Sequence, residues 1–155
     1  MKITIIGSGN VASALGQGWM RSGHEIIFGV RDIQSPNALK LAETVPGVRL
    51  ESIEDACREA GAIVITTPPE AVTELVPKLG DISGKILIDA TNSIRNRPEP
   101  FPTAFHAIKG LTGHEDVVKC FNTTGFENML NPVYPQSGGI DMLAAGNSQQ
   151  AKAVA

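Results

Sequence analysis

Residues 2–12 read Lys-Ile-Thr-Ile-Ile-Gly-Ser-Gly-Asn-Val-Ala, a short apolar run that passes straight into two glycines and then into a helical pattern. An apolar run without alternation suits a strand covered on both faces, and such strands belong to parallel sheets flanked by helices. After the glycines, Val11, Leu15 and Trp19 recur every four residues, which predicts a helix from Asn10 to Ser22 with one apolar face. A strand, a glycine turn and a helix in this order open a β-α-β unit.

The rest of the chain repeats the unit. Further apolar runs occupy Glu25–Val30, Val48–Leu50, Ala62–Thr66, Lys85–Ile88 and Val117–Phe121, each separated from the next by helical spacing or a capping signal. Ser35 before Pro36 predicts an N-cap with proline in the first turn, and a helix through about Thr44. Ser52-Ile53-Glu54-Asp55 is a capping-box pattern before a short helix that stops near Gly61. Thr67-Pro68-Pro69-Glu70 predicts a cap and a sharp turn into a helix that Pro77 kinks or ends. Three prolines in Asn96–Pro102 mark a loop, Ile140–Gly146 reads as a strand, and Asn147 with Gln150 reads as a capping pair opening a last helix. Six strands alternating with helices predict an α/β fold of the Rossmann type, a doubly wound, mostly parallel sheet with helices on both faces. At 155 residues the expectation is one domain over 1–155.

Composition narrows the partners. The net charge is −3 with no basic run, which argues against nucleic acid and anionic membrane surfaces. The apolar segment Ile3–Ile6 is too short for a signal peptide, and no stretch approaches the ~18 apolar residues of a membrane span. Cys57 and Cys120 each sit in an apolar-rich segment, which predicts buried thiols and a reducing, cytoplasmic setting. His24, His106 and His114 lack metal-ligand spacing, so no metal site is expected.

Gly7-Ser8-Gly9-Asn10-Val11-Ala12 fits G-x-G-x-x-A in its proper setting between strand and helix. Gly7 permits the tight turn, Gly9 lets the backbone approach a pyrophosphate, and Ala12 lets the helix pack closely on the strand. The anion would rest on the free N–H groups and positive dipole end of the helix, so Gly7, Ser8, Gly9, Asn10 and Val11 are candidate cofactor-binding residues. Which dinucleotide binds depends on the end of the second strand, where a carboxylate holds the ribose hydroxyls of NAD. Here that place reads Phe28-Gly29-Val30-Arg31-Asp32, with glycine where the acid is expected and Arg31 where a 2′-phosphate would lie. NADP(H) is therefore the expected cofactor, with Asp32 as a displaced ribose ligand the alternative. Thr66, Thr67 and Pro68, and Ala90, Thr91 and Asn92, end the fourth and fifth strands at the carboxyl edge of the sheet, where open α/β folds bind ligands. Capping alone is the competing reading of the threonines.

With these segments in view, together with Val118-Lys119-Cys120-Phe121-Asn122-Thr123-Thr124-Gly125 and Asn131-Pro132, the chain resembles the NADP oxidoreductases that reduce the deazaflavin coenzyme factor 420. The resemblance runs from Met1 to about Ala155. The glycine motif is shared with many reductases, pyrroline-5-carboxylate reductase among them, whereas Thr91-Asn92 and Lys-x-Phe-Asn-Thr are more specific. The resemblance implies hydride transfer between C4 of the nicotinamide and C5 of a deazaflavin, or a flavin, as small-molecule acceptor. Orientation of the two rings then supplies most of the catalysis. Asn92, Asn122 and Thr123 are implied as positioners near the rings, with no acid, base or lysine pair evident. Relatives normally continue past this point, which leaves a fragment or a partner chain, such as a second copy in a homodimer, to complete the acceptor pocket. An imine or hydroxy-acid reductase domain and a non-catalytic NADP(H) sensor are the competing functions.

Overall fold

The computed structural model describes residues 1–136 and 138–155. Six parallel strands form one sheet: β1 (Lys2–Ile6), β2 (Glu25–Val30), β3 (Arg49–Ser52), β4 (Ala62–Ile65), β5 (Ile86–Asp89) and β6 (Val117–Lys119), in the order β3-β2-β1-β4-β5-β6. The chain begins in the middle, winds outward to β3, then returns to pair β4 with the free side of β1. The order reverses between β1 and β4, and the crevice at such a reversal is where open α/β sheets bind ligands.

The strands alternate their branched side chains between two apolar layers. Ile3 and Ile5 join Leu15, Phe28 and Val64 in one layer, while Ile6 joins Ile63, Ile65 and Leu87 in the other. α1 (Asn10–Arg21) and α2 (Pro36–Thr44) cover the first layer, and α3 (Ile53–Arg58), α4 (Val72–Leu75) and α5 (Ala104–Thr112) the second. Thr4 breaks the apolar run without leaving a buried hydroxyl unmatched, because it donates to the Ala56 carbonyl across the interface with α3. Both cysteines are buried and free, and burial pushes the Cys57 thiol up to about 12.

The predicted caps at Ser35 and Ser52 form: their hydroxyls accept from the Ala38 and Asp55 N–H groups. Elsewhere the local signals misplace the elements. Thr67 caps nothing; the chain enters a 3-10 turn at Pro69–Ala71 directly from Pro68, and a second such turn at Val76–Lys78 follows α4 at Pro77. Ile140–Gly146 is not a strand. Among the described residues its pairing with the sheet is limited to an antiparallel bridge of Ala145 to Lys119, and most of the segment is exposed, so its apolar pattern has no ladder to join. The last helix, α7 (Gln149–Val154), is capped by Ser148 rather than Asn147, because the Ser148 hydroxyl reaches both the Ala151 N–H and Asp116 Oδ1, at 2.6 Å from the latter. Two helices were not anticipated: α5, capped by Thr103 and closed by Gly113 in the left-handed region, and α6 (Phe126–Leu130), which lies against α1. A short antiparallel pair, β7 (Val133–Tyr134) with β8 (Gly138–Gly139), follows α6. Among the described residues no helix is long and apolar enough to cross a membrane.

Candidate functional site

The turn from β1 into α1 sits at the reversal of strand order. Gly7 has φ +127°, and a Cβ there would lie 2.6 Å from Thr66 Oγ1, so both backbone and space require glycine. Its N–H donates to the Gly29 carbonyl, and Thr66 donates its hydroxyl to the Ile6 carbonyl, so β4 forms the floor of the turn. Gly9 is different. It caps α1 with extended backbone, φ −87° and ψ −173°, and a Cβ there would meet nothing within 4 Å. No side chain caps α1 and no acid occupies its first turn, so its N–H groups and positive end face open space. Ser8, Gly9, Asn10 and Val11 border that space, half-buried or exposed. A backbone cradle free of side chains, at the positive end of a twelve-residue helix, fits a pyrophosphate.

At the end of β2 the missing acid has a packing cause. Gly29 pairs with Ile6 and is buried, and a Cβ would lie 2.6 Å from Ile6 Cδ1 and 3.3 Å from both Ala56 Cβ and Ile53 Cα. α3 comes too close to β2 for any side chain. Gly29→Asp, the obvious change for NAD binding, is therefore expected to cost ~1–3 kcal/mol or more through overpacking, read as a fall in the denaturation midpoint. Arg31, just beyond, is exposed and takes no part in the ion pairs among the described residues. Asp32 is committed locally: its carboxylate accepts from the Gln34 N–H at 2.8 Å, and its carbonyl accepts from the Ser35 hydroxyl at 2.8 Å. It shapes the turn into α2, which weighs against its serving as the ribose ligand.

Beyond β5 and β6 lies a cleft of about 500 Å³ whose walls include Asn92, Asn122, Lys119, Phe105 and Ile94. Two of the three expected positioners, Asn92 and Asn122, thus share one cavity. Thr123 does not: its hydroxyl accepts from the Leu143 N–H at 3.1 Å and fastens the 140–146 segment. The chain reaches Asn122 through Phe121, which has φ 59°, a conformation that costs a non-glycine residue of order 1 kcal/mol or more. The reversal sends the Phe121 ring against Trp19, edge to face with centroids 5.4 Å apart, while Asn122 borders the cleft. Asn92 accepts from the Ile94 N–H at 3.3 Å, so it also shapes its own loop. Pro68 is exposed, and among the described residues the buried Thr67 hydroxyl has no partner.

The profile of the family described as NADP oxidoreductase, coenzyme F420-dependent, matches residues 2–93, from β1 past the end of β5. The chain belongs to that family. No curated protein matches it in sequence. Among solved structures, a candidate F420-dependent NADP-reductase from Arthrobacter sp. FB24 is 25% identical, with TM-score 0.84 over 99% of this chain and 77% of its own. A hypothetical protein from Sinorhizobium meliloti is 22% identical over the same shares, with TM-score 0.82. A Myxococcus stipitatus imine reductase in complex with NAD+ shares the fold at 19% identity, with TM-score 0.68 over 99% of this chain and 49% of its own. The family is one of oxidoreductases, and the Rossmann-type sheet expected from the sequence is the one observed.

One feature of this family member escaped the sequence: an ion pair in the lining of the cleft. Asp89 and Lys119 face each other across the β5–β6 pairing, with Lys119 Nζ 3.3 Å from Asp89 Oδ1. Burial pulls the Lys119 pKa down, and the Asp89 carboxylate opposes that shift. Thirty positions separate the two residues, and a carboxylate closing the apolar strand Ile86–Asp89 was the available hint. Among the described residues no cluster of His, Cys, Asp and Glu could hold a metal ion.

Proposed function

We propose that the chain binds NADP(H) across the β1–α1 turn and moves a hydride between it and a deazaflavin or flavin seated in the Asn92–Asn122 cleft. The observation that carries this reading is the open backbone cradle at Gly9, with Arg31 at the neighbouring strand end and the cleft along the same carboxyl edge of the sheet. The nicotinamide supplies the hydride. The protein's contribution is to hold two flat rings together and exclude water, which needs positioning side chains more than an acid or base. Thr66 supports the turn, while Asn92 and Asn122 orient the acceptor.

NADPH should bind more tightly than NADH. Charge-assisted hydrogen bonds from Arg31 to the 2′-phosphate, each worth about 1.5–3 kcal/mol, give roughly a 10- to 150-fold preference. Arg31→Ala should erase most of it and leave NADH affinity nearly unchanged, as read by fluorescence titration. Equal affinity for both cofactors in the unmutated protein would return the ribose to Asp32.

Stopped-flow absorbance at the nicotinamide band tests the acceptor, with deazaflavin, flavin and cyclic imine compounds offered to the NADPH-bound protein. Rapid oxidation by a deazaflavin or flavin is the expected result. Oxidation by the imine alone would make this an imine reductase, and tight NADPH binding with no turnover would make it a sensor.

A further inference from the structure

Asp89 ends β5 and Lys119 ends β6, and their parallel register sends both side chains from the same face of the sheet. The pair is asymmetric in exposure: the Asp89 side chain is 1% exposed and that of Lys119 is 23%. Asp89 Oδ1 is pinned from behind by the Thr91 N–H at 2.9 Å. The Lys119 ammonium donates to the Thr91 carbonyl and lies 3.3 Å from Asp89 Oδ1. An ammonium carries three N–H groups, so donor capacity remains for the cleft that Lys119 lines. Burying a pair of this kind costs desolvation that its own attraction does not reliably offset, and apolar residues at both positions would simply extend the two strands. Charge kept in the lining of a cavity against that cost points to use there. The surroundings agree: Phe105 and Ile94 give the cleft apolar walls, and among the described residues the buried Thr91 hydroxyl beside the pair has no partner.

We propose that Lys119 is the cation that meets the negative charge delivered to the acceptor, an assignment that rests on reading the cleft as the acceptor's seat. In the transfer, the C4–H bond of the dihydronicotinamide breaks and its electron pair forms a new bond from that hydrogen to the acceptor ring atom, carbon C5 of a deazaflavin or nitrogen N5 of a flavin. The π pair displaced from that atom moves through the conjugated system onto a carbonyl or imide of the acceptor. NADPH is oxidised to NADP+, and the acceptor, reduced by two electrons, becomes an anion that later takes a proton from water. The Lys119 ammonium binds that anion more strongly than the neutral acceptor, so the contact strengthens as charge develops and lowers the barrier rather than merely tightening binding. Lys119 keeps its proton throughout. Asp89 and Thr91 are positioning residues that hold the ammonium in place.

The test uses 5-deazariboflavin and FMN as probes, with the unmutated protein and the Lys119→Met and Lys119→Arg variants. Single-turnover oxidation of bound NADPH should slow about 100-fold in Lys119→Met, the scale of losing one charge-stabilising donor, with NADPH affinity held within about twofold and part of the rate restored by Lys119→Arg. A second readout needs no turnover. Above the ionisation of the dihydro probe, the unmutated protein should bind the dihydro form about tenfold or more tightly than the oxidised form, and Lys119→Met should lose that preference. Should Lys119→Met fail to fold, Lys119→Gln carries the same comparisons. A variant that keeps the rate, or an unmutated protein without preference for the dihydro form, overturns the assignment while leaving the proposed function standing. An unmutated protein that binds NADPH but reduces neither probe overturns both.

Discussion

Gly9→Val is expected to abolish binding of both NADPH and NADH while the fold survives. The backbone at Gly9, φ −87° and ψ −173°, is one that valine adopts readily, and a Cβ there meets no protein atom within 4 Å. The stability penalty is therefore limited to a poorer helix cap, about 1 kcal/mol or less. The space that the branched side chain takes is the space through which a pyrophosphate must reach the α1 N–H groups. Calorimetric titration of both cofactors, with a thermal melt of the same sample, separates the two effects. Retained NADPH affinity would mean that the phosphates lie elsewhere and that Gly7–Val11 is only a turn. Gly7 would make a poorer probe, because its positive φ and its closeness to Thr66 would damage the fold together with the site.

Asn122→Ala should slow hydride transfer by one to a few orders of magnitude, the scale attached to misplacing reacting groups, with NADPH affinity little changed. Asn122 borders the cleft immediately after Phe121, whose left-handed backbone turns the chain there. Strain held at one residue so that its neighbour faces a cavity is a pattern found at binding sites. The competing role is structural, with Asn122 stabilising the turn through its own backbone. That role would appear as a lowered melting temperature with an unchanged single-turnover rate; an unchanged melting temperature with slow transfer supports the site.

Legibility of the fold followed how local its determinants were. β1, β2 and α2 could be read directly, because solid apolar runs, a glycine turn and the Ser35-Pro36 cap each act within a few residues. The Gly7–Ala12 motif was legible for the same reason. α5 was not legible although Thr103 and Gly113 frame it, because the proline-rich segment 96–102 immediately before it carries the stronger local signal, that of a loop. The segment 140–146 was misread because an apolar pattern does not reveal whether a partner edge is free: β6 has only three residues, and Ala145 alone bridges to it. In the site, Thr123 and Asn122 are adjacent in sequence and alike in chemistry, and only the tertiary contact with Leu143 separates a fastening residue from one that borders the cleft. The Asp89–Lys119 pair is non-local altogether, created by the register of β5 on β6. The glycine at position 29 was seen as an absent acid, while its cause, the approach of α3, needed three dimensions.

A crystal structure of the chain with NADP+ tests the central claim most directly. The account predicts the pyrophosphate against the backbone N–H groups at the start of α1, over Gly9, with the 2′-phosphate in hydrogen-bond contact with the Arg31 guanidinium and the nicotinamide directed toward the ends of β4 and β5. A pyrophosphate bound away from Gly9, or a ribose held by Asp32 with Arg31 turned to solvent, would contradict it.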